Sequence, residues 1–233
     1  MICFVDYRIS NEEKFFLNSL NLSIVEVPPC NNLYKAIDGH VDIQLNVLDK
    51  QSKVLIINKD LPKEFKEKLN SLNITFIESK CSLKYSYPYN IPLNALILKN
   101  HFIHNLKYTD KNLLNTQINK KLINIKQGYT KCSCLPVGDN AFITSDIGIY
   151  NTLIKYNFDI LLLPPGDIIL DGLNYGFIGG TGGLIDKNTM VFFGNLSHYL
   201  HGAKVLKFLK KYNVKPIYLK NTKLHDRGSL FVL

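Results

Sequence analysis

Residues 54–79 read VLIINKDLPKEFKEKLNSLNITFIES, and residues 91–98 read IPLNALIL. A short apolar run ends at Asn58 and is followed by an amphipathic stretch, LPKEFKEKLN. A second β-like run, ITFIES, comes next, then a third, IPLNALIL, which meets another apolar run across Lys99-Asn100. Period-2 or fully apolar runs of this length read as strands, and the spaced apolar positions of LPKEFKEKLN read as a helix face. The segment is thus strand, helix, strand, strand, with a short turn leading into the next unit.

The same order recurs along the chain. Apolar runs close in Asp or Asn at ICFVD (Asp6), VLIIN (Asn58), HFIHN (Asn105), FITSD (Asp146) and VFFGN (Asn195). Successive steps between these residues are 52, 47, 41 and 49, and from Asn195 through Leu233 back to Asp6 the step is 44. Together they equal the chain length, so the sequence divides into five similar units with no remainder. Asp and Asn suit the strand end because a short side-chain oxygen can cap the free N–H groups of a following helix. The helical stretches are NEEKFFLNSL, LPKEFKEKLN, DKNLLNTQINKKL, IYNTLIKYN and HYLHGAKVLKFLKKY. The second runs are SIVEV, ITFIES, INIKQ, DILLLP and KPIYLK; the third runs are VDIQLNVL, IPLNALIL, KCSCLPV, FIGGTGGLI and GSLFVL. Four third runs lead into the next unit through turns rich in Asn, Asp, Gly and Lys, at 49–51, 99–100, 138–140 and 186–188, a hairpin signal. The last third run, SLFVL, ends the chain and lacks a partner, as does ICFVD at the start. Pairing the two would remove two open sheet edges at once.

Composition sets the class. With 233 residues, 46% hydrophobic and 20% charged, the chain is globular rather than disordered, and it is read as a single domain over 1–233. It is long enough to bury roughly 70–75% of its unfolded surface without disulfides or metals. Its five cysteines (Cys3, Cys30, Cys81, Cys132, Cys134) are odd in number and dispersed, which fits reduced thiols in a cytoplasm. The N-terminus lacks a signal-peptide pattern and no apolar run reaches the ~20 residues of a membrane span. The expected location is cytoplasmic. The charge of +9 comes almost wholly from lysine, since Arg8 and Arg227 are the only arginines. Lysine lacks the planar fork that reads phosphates and bases, so the surplus reads as solvated faces such as Lys204, Lys207, Lys210 and Lys211 rather than as a nucleic-acid surface.

Five β-α-β-β units about a pseudo-fivefold axis, closed by the terminal strands, resemble the pentein fold, the five-bladed α/β propeller of the guanidino-group-modifying superfamily. The resemblance is carried by the strand endings and by the segments Asp38-Gly39-His40-Val41-Asp42-Ile43-Gln44 and Leu224-His225-Asp226-Arg227-Gly228-Ser229. The chain is similar to a clostridial-type group of that fold. The superfamily holds deiminases, amidinotransferases and dimethylarginine dimethylaminohydrolases, together with a non-enzymatic ribosome anti-association factor. The resemblance implies a central channel lined by the starts of the inner strands. Those starts carry His40 and Asp42, Tyr89 and Asn90, Lys131 with Cys132 and Cys134, Asn174 and Tyr175, and His225, Asp226 and Arg227.

The superfamily's chemistry uses a cysteine thiolate, a histidine and about two carboxylates on a planar cation. Its cysteine lies just before the last inner strand, where this chain has His225-Asp226-Arg227-Gly228-Ser229. Its histidine enters with the fourth unit, where residues 174–183 contain none. Neither residue carries over. His40 and Asp42 are therefore read as an acid–base pair on one strand face, with His225 and Asp226 opposite. Cys132 or Cys134, two apart and so sharing a face, is the only nucleophile available, or else both are small core residues. Tyr89, Asn90, Asn174, Tyr175 and Arg227 are read as ligand-binding, with Arg227 favouring an anionic group. Cys-x-Cys is tighter than the usual zinc spacing, the pair His198 and His201 has no acidic companion, and no metal or cofactor is expected. The Gly179–Gly183 run lacks a P-loop ending and reads as close backbone approach at a crowded centre. The expected function is binding of a small polar metabolite in the central channel, with hydrolysis of a C–N bond as the reaction open to it. The alternative is a non-catalytic binding factor comparable to the ribosome anti-association factor, with nucleic acid or the ribosome as its partner. The oligomeric state stays open.

Overall fold

Each apolar run that ends in Asp or Asn is the middle strand of a three-stranded sheet in the computed structural model, which describes residues 1–233. The five middle strands are Ile2–Asp6, Val54–Ile57, His101–His104, Ala141–Thr144 and Thr189–Phe192. They are almost wholly buried, which explains why their sequences are continuously apolar rather than alternating. Each pairs in parallel with the strand that follows its helix: Ser23–Val27, Thr75–Glu78, Lys121–Asn124, Asp159–Leu162 and Lys215–Tyr218. A helical crossover is the usual means of joining parallel neighbours. On its other side each middle strand pairs antiparallel with the inner strand that precedes it: Leu45–Asp49, Leu96–Ile97, Cys134–Gly138 and Gly182–Leu184. The fifth inner strand, Phe231–Val232, pairs with Ile2–Asp6 in the register Cys3 to Val232 and Phe4 to Phe231. The ring is closed by the two chain ends, as the five-unit reading requires.

The core is distributed between blades. Five apolar clusters each join two neighbouring sheets to a helix or its flank. One packs Phe4 and Val25 against Leu45, Leu55, Phe65 and Leu69; another packs Cys3 and Val5 against Leu17, Val191 and Phe193. The crossover helices therefore bury one stripe between blades. The Gly202–Lys211 helix hides Val205, Phe208 and Leu209 and leaves Lys204, Lys207, Lys210 and Lys211 in water. No helix is long and apolar enough to cross a membrane.

Two local expectations are corrected. The Asp/Asn strand endings cap the following helical segment only at Asp146, whose side chain accepts from Ile149 N–H, and at Asn195, whose segment is a short 3-10 turn. At Asp6 and Asn58 the side chain accepts from the N–H two residues on, closing a turn. The helices there start later, and the first is capped by Ser10, which forms a capping box with Glu13. The second correction bears on the site. None of the third runs begins as a strand, and three begin as helical turns: Val41–Gln44 and Thr130–Ser133 are single α-helical turns, and Ile178–Thr181 is a 3-10 turn. Five inner runs converging on one axis cannot all continue as ladder strands, so their backbone groups are satisfied by turns and by single bonds between runs, such as Asp42 N–H to the Gly228 carbonyl and Ser229 N–H to the Gly180 carbonyl. Spacing by two then no longer means a shared face. His40 precedes its turn while Asp42 lies within it, and Cys132 lies in a turn while Cys134 opens a strand.

Candidate functional site

The turns at 41–44 and 130–133 face each other across the hub, and their side chains build one buried polar cluster. Cys132 Sγ lies 3.0 Å from Asp42 Oδ1. Asp42 Oδ2 accepts from Ser229 Oγ at 2.6 Å, and Ser229 Oγ accepts from Lys131 Nζ at 2.7 Å. Asn94 organises the rest. Its Oδ1 accepts from the N–H groups of Lys131 and Cys132, while its Nδ2 donates to the Asp42 carbonyl at 2.9 Å and to Cys132 Sγ at 3.1 Å. Four of the five inner runs thus meet here, and each of these side chains is buried. The glycine run contributes by absence: a Cβ on Gly179 would lie 2.5 Å from the carbonyl oxygens of Cys132 and Cys134. Close backbone approach is its role.

Above this cluster opens a cavity of about 280 Å³. His40, Cys132 and Asp226 reach its wall, and Tyr34, Tyr129 and Phe177 supply aromatic faces. Asn174 and Tyr175 complete one side. Asp226 is fixed by the N–H groups of Phe177 (2.8 Å) and Gly228 (3.0 Å) and stands 3.8 Å from His40 Nε2. That separation is too long for a hydrogen bond, and both ring nitrogens of His40 are buried without a partner.

Burial sets the protonation states. The His40 imidazole is pushed down to about 4 by desolvation, against the pull of Asp42, so it is neutral. Asp226 is raised to about 7 by burial and then by the nearby Asp42 carboxylate. The Cys132 thiol is raised well above its ordinary value by burial, Asp42 and Asp226, and it donates its proton to Asp42. Lys131 is lowered by desolvation, partly offset by Asp42.

Of the residues singled out from sequence, His40, Asp42, Cys132, Asp226, Asn174 and Tyr175 come together at or directly beneath the cavity. The others do not line it. Cys134 is buried in an inter-blade cluster with Phe142 and Ile149, its thiol pushed up to about 12 by burial. His225 is half-buried beside the Lys223 carbonyl. Tyr89 is exposed under Lys84, and Asn90 is buried, donating to the Tyr85 carbonyl. Arg227 lies outside the cavity lining, its Nη1 3.8 Å from Asp171. Missed from sequence were Asn94, Ser229, Tyr34, Tyr129 and Phe177. Asn94 did leave a signal, as the polar residue inside the apolar run IPLNALIL. Tyr34 lies in a connecting segment that carries none.

The fold has known counterparts. The structure superposes on an amidinotransferase of the saxitoxin biosynthetic pathway from Microseira wollei with a TM-score of 0.59 at 10% identity, covering 95% of this chain and 78% of that one. A cysteine-to-serine variant of dimethylarginine dimethylaminohydrolase from Pseudomonas aeruginosa, in complex with citrulline, matches with a TM-score of 0.54 at 9% identity over 97% and 92% of the two chains. An inosamine-phosphate amidinotransferase from Streptomyces griseus matches at 0.51 and 9% identity over 92% and 74%. These are pentein enzymes, and the likeness shows that this chain shares their fold. No curated protein sequence matches it. The profile of one protein family matches residues 4–231, and on that match the chain belongs to the DUF6873 family, described as a family of unknown function.

Proposed function

We propose that the cavity binds a small polar metabolite presenting a planar cationic nitrogen group, of amidino or guanidino type, and that the chain hydrolyses a C–N bond of it. The observation that carries this reading is the make-up of the cavity wall. It joins one carboxylate, Asp226, to the aromatic rings of Tyr34, Tyr129, Tyr175 and Phe177, and no lysine or arginine lines it. A delocalised cation is held by such a pairing of carboxylate and ring face, because it is weakly hydrated and planar. The reactive end is where His40 and Cys132 meet Asp42 beneath the cavity floor. The names of the fold neighbours, amidinotransferases and a dimethylarginine hydrolase, support the same substrate class.

Thermal-shift and calorimetric titration with benzamidine, agmatine and arginine, against the neutral benzamide and citrulline, tests the binding. The cations should stabilise the wild type and lose that effect in Asp226→Asn. Turnover is read as ammonium release. Equal shifts with benzamide, or cation binding that survives Asp226→Asn, would overturn the reading.

A further inference from the structure

We propose that His40, Asp42 and Cys132 form a zinc(II) site whose fourth position opens into the cavity. Each residue offers one donor atom, and the three atoms lie within 4.8 Å of one another, all buried. A tetrahedral ion with bonds of about 2.0–2.3 Å places neighbouring ligand atoms roughly 3.3–3.8 Å apart, so small side-chain shifts bring all three to bonding distance. The ligand set of one imidazole, one thiol and one carboxylate matches zinc's tolerance for nitrogen, sulfur and oxygen donors.

A second, independent observation points to a ligand at this position. The His40 imidazole is 1% exposed, and neither ring nitrogen has a hydrogen-bond partner. Leaving a buried polar atom unmade costs about 1–3 kcal/mol, and a metal bond removes that cost on one nitrogen. The surrounding groups are those that support metal ligands. Asp226 Oδ1 stands 3.8 Å from His40 Nε2, the one carboxylate beside the ring. Ser229 holds Asp42 Oδ2, and Oδ1, which accepts only from the Cys132 thiol, becomes available to ligate once that thiol gives up its proton to bind the ion. Asn94 Nδ2 donates to Cys132 Sγ, an interaction that favours the thiolate a metal requires. Cys134 takes no part, being buried between blades.

The catalytic use of the ion rests on the proposed hydrolysis. Three protein ligands and one open position define a site that activates water. Water on the ion loses a proton and attacks the amidino carbon, forming a C–O bond. The C–N bond breaks, the departing nitrogen takes up the proton and leaves as ammonia or an amine, and a carbonyl product remains. No redox partner is involved.

The test uses the full chain, reduced and stripped with a chelator, then titrated with ZnCl2 and CoCl2. Elemental analysis should find one zinc per chain, and the cobalt form should show a thiolate-to-cobalt charge-transfer band with d–d bands of tetrahedral intensity. The band should vanish in Cys132→Ser and persist in Cys81→Ala. Zinc affinity should fall by more than about 100-fold in His40→Gln and Asp42→Asn, beyond the 10–100-fold that loss of a supporting hydrogen bond costs. Should Cys132→Ser fail to fold, the wild-type spectrum and the near-isosteric Asp42→Asn carry the test. Absence of a charge-transfer band in folded wild type, or its survival in folded Cys132→Ser, overturns the site. Stoichiometric zinc whose removal leaves ammonium release unchanged overturns its catalytic use, while benzamidine binding reports separately on the cavity.

Discussion

Ser229 Oγ donates to Asp42 Oδ2 over 2.6 Å, joining two residues 187 positions apart and locking the last inner run against the first. The same hydroxyl accepts from Lys131 Nζ, so one side chain separates a buried lysine from a buried carboxylate and satisfies both. Removing it takes one hydrogen-bond partner from each, leaving Lys131 Nζ the Gly179 carbonyl at 3.3 Å and Asp42 the Cys132 thiol. Ser229→Ala should therefore lower stability by about 1–3 kcal/mol, read as a shift of the urea midpoint at unchanged slope. A midpoint within experimental scatter of wild type would show that water replaces the hydroxyl.

Acid stability should carry the mark of His104. This imidazole is fully buried between Thr109 Oγ1 (2.7 Å) and the Gly128 carbonyl (3.0 Å), and burial lowers it to about 4 from an ordinary 6.5. The unfolded chain binds the proton that the folded one refuses. Its contribution to stability is complete above pH 6.5 and is lost progressively as pH falls towards 4, at up to about 1.4 kcal/mol per pH unit. His104→Gln should flatten that limb of the stability–pH curve. An unchanged slope in the variant would remove His104 from the account.

Arg8 ties the first strand end to the segment before His40. Its guanidinium pairs with the fully buried Asp6 and donates to the carbonyls of Lys35 (2.8 Å) and Ala36 (3.1 Å), anchoring the segment that leads to His40. Arg8→Ala leaves a buried carboxylate unpaired and should cost about 3 kcal/mol. Much of that loss should be recovered in the double variant with Asp6→Asn, because the uncompensated charge is then gone. Additive losses in the double-mutant cycle would show that the two residues act independently.

Gly228 has φ +66°, and a Cβ there would run into the His40 side chain. Gly228→Ala combines an unfavourable left-handed conformation with a steric push on His40. Benzamidine binding and cobalt spectra should change more than global stability does. An unaltered cobalt spectrum would mean that the loop yields instead of His40.

Ring closure can be tested at the chain end. Deleting residues 231–233 removes the antiparallel pairing to Ile2–Asp6, the two backbone bonds between Ile2 and Leu233, and the burial of Val232. One open edge results, along Ile2–Asp6. The truncated chain should unfold at lower denaturant and self-associate in analytical ultracentrifugation. A monomer of wild-type stability would deny the closing strand its role.

The architecture was legible because it is written in periodic features. Five apolar runs with polar endings mark the buried middle strands, and hairpin turns at 49–51, 99–100, 138–140 and 186–188 mark the inner edges. Unpaired runs at both termini implied the closure seen between Phe4 and Phe231. Such patterns survive because burial on both faces of a strand constrains every residue in it.

The site was only half legible. His40, Asp42, Cys132 and Asp226 stood out as polar groups at the starts of inner runs, and all four converge. Their partners did not stand out, because the helical turns at 41–44 and 130–133 rotate neighbours onto different faces. One turn sends Cys132 towards Asp42, while Cys134 opens the following strand in the core. What the residues determine alone is the repeat, its period and its closure, since these depend on local hydrophobicity and turn chemistry. Which side chains face the cavity was decided by packing five inner runs around one axis, where the backbone leaves the strand ladder and its polar groups pair between runs.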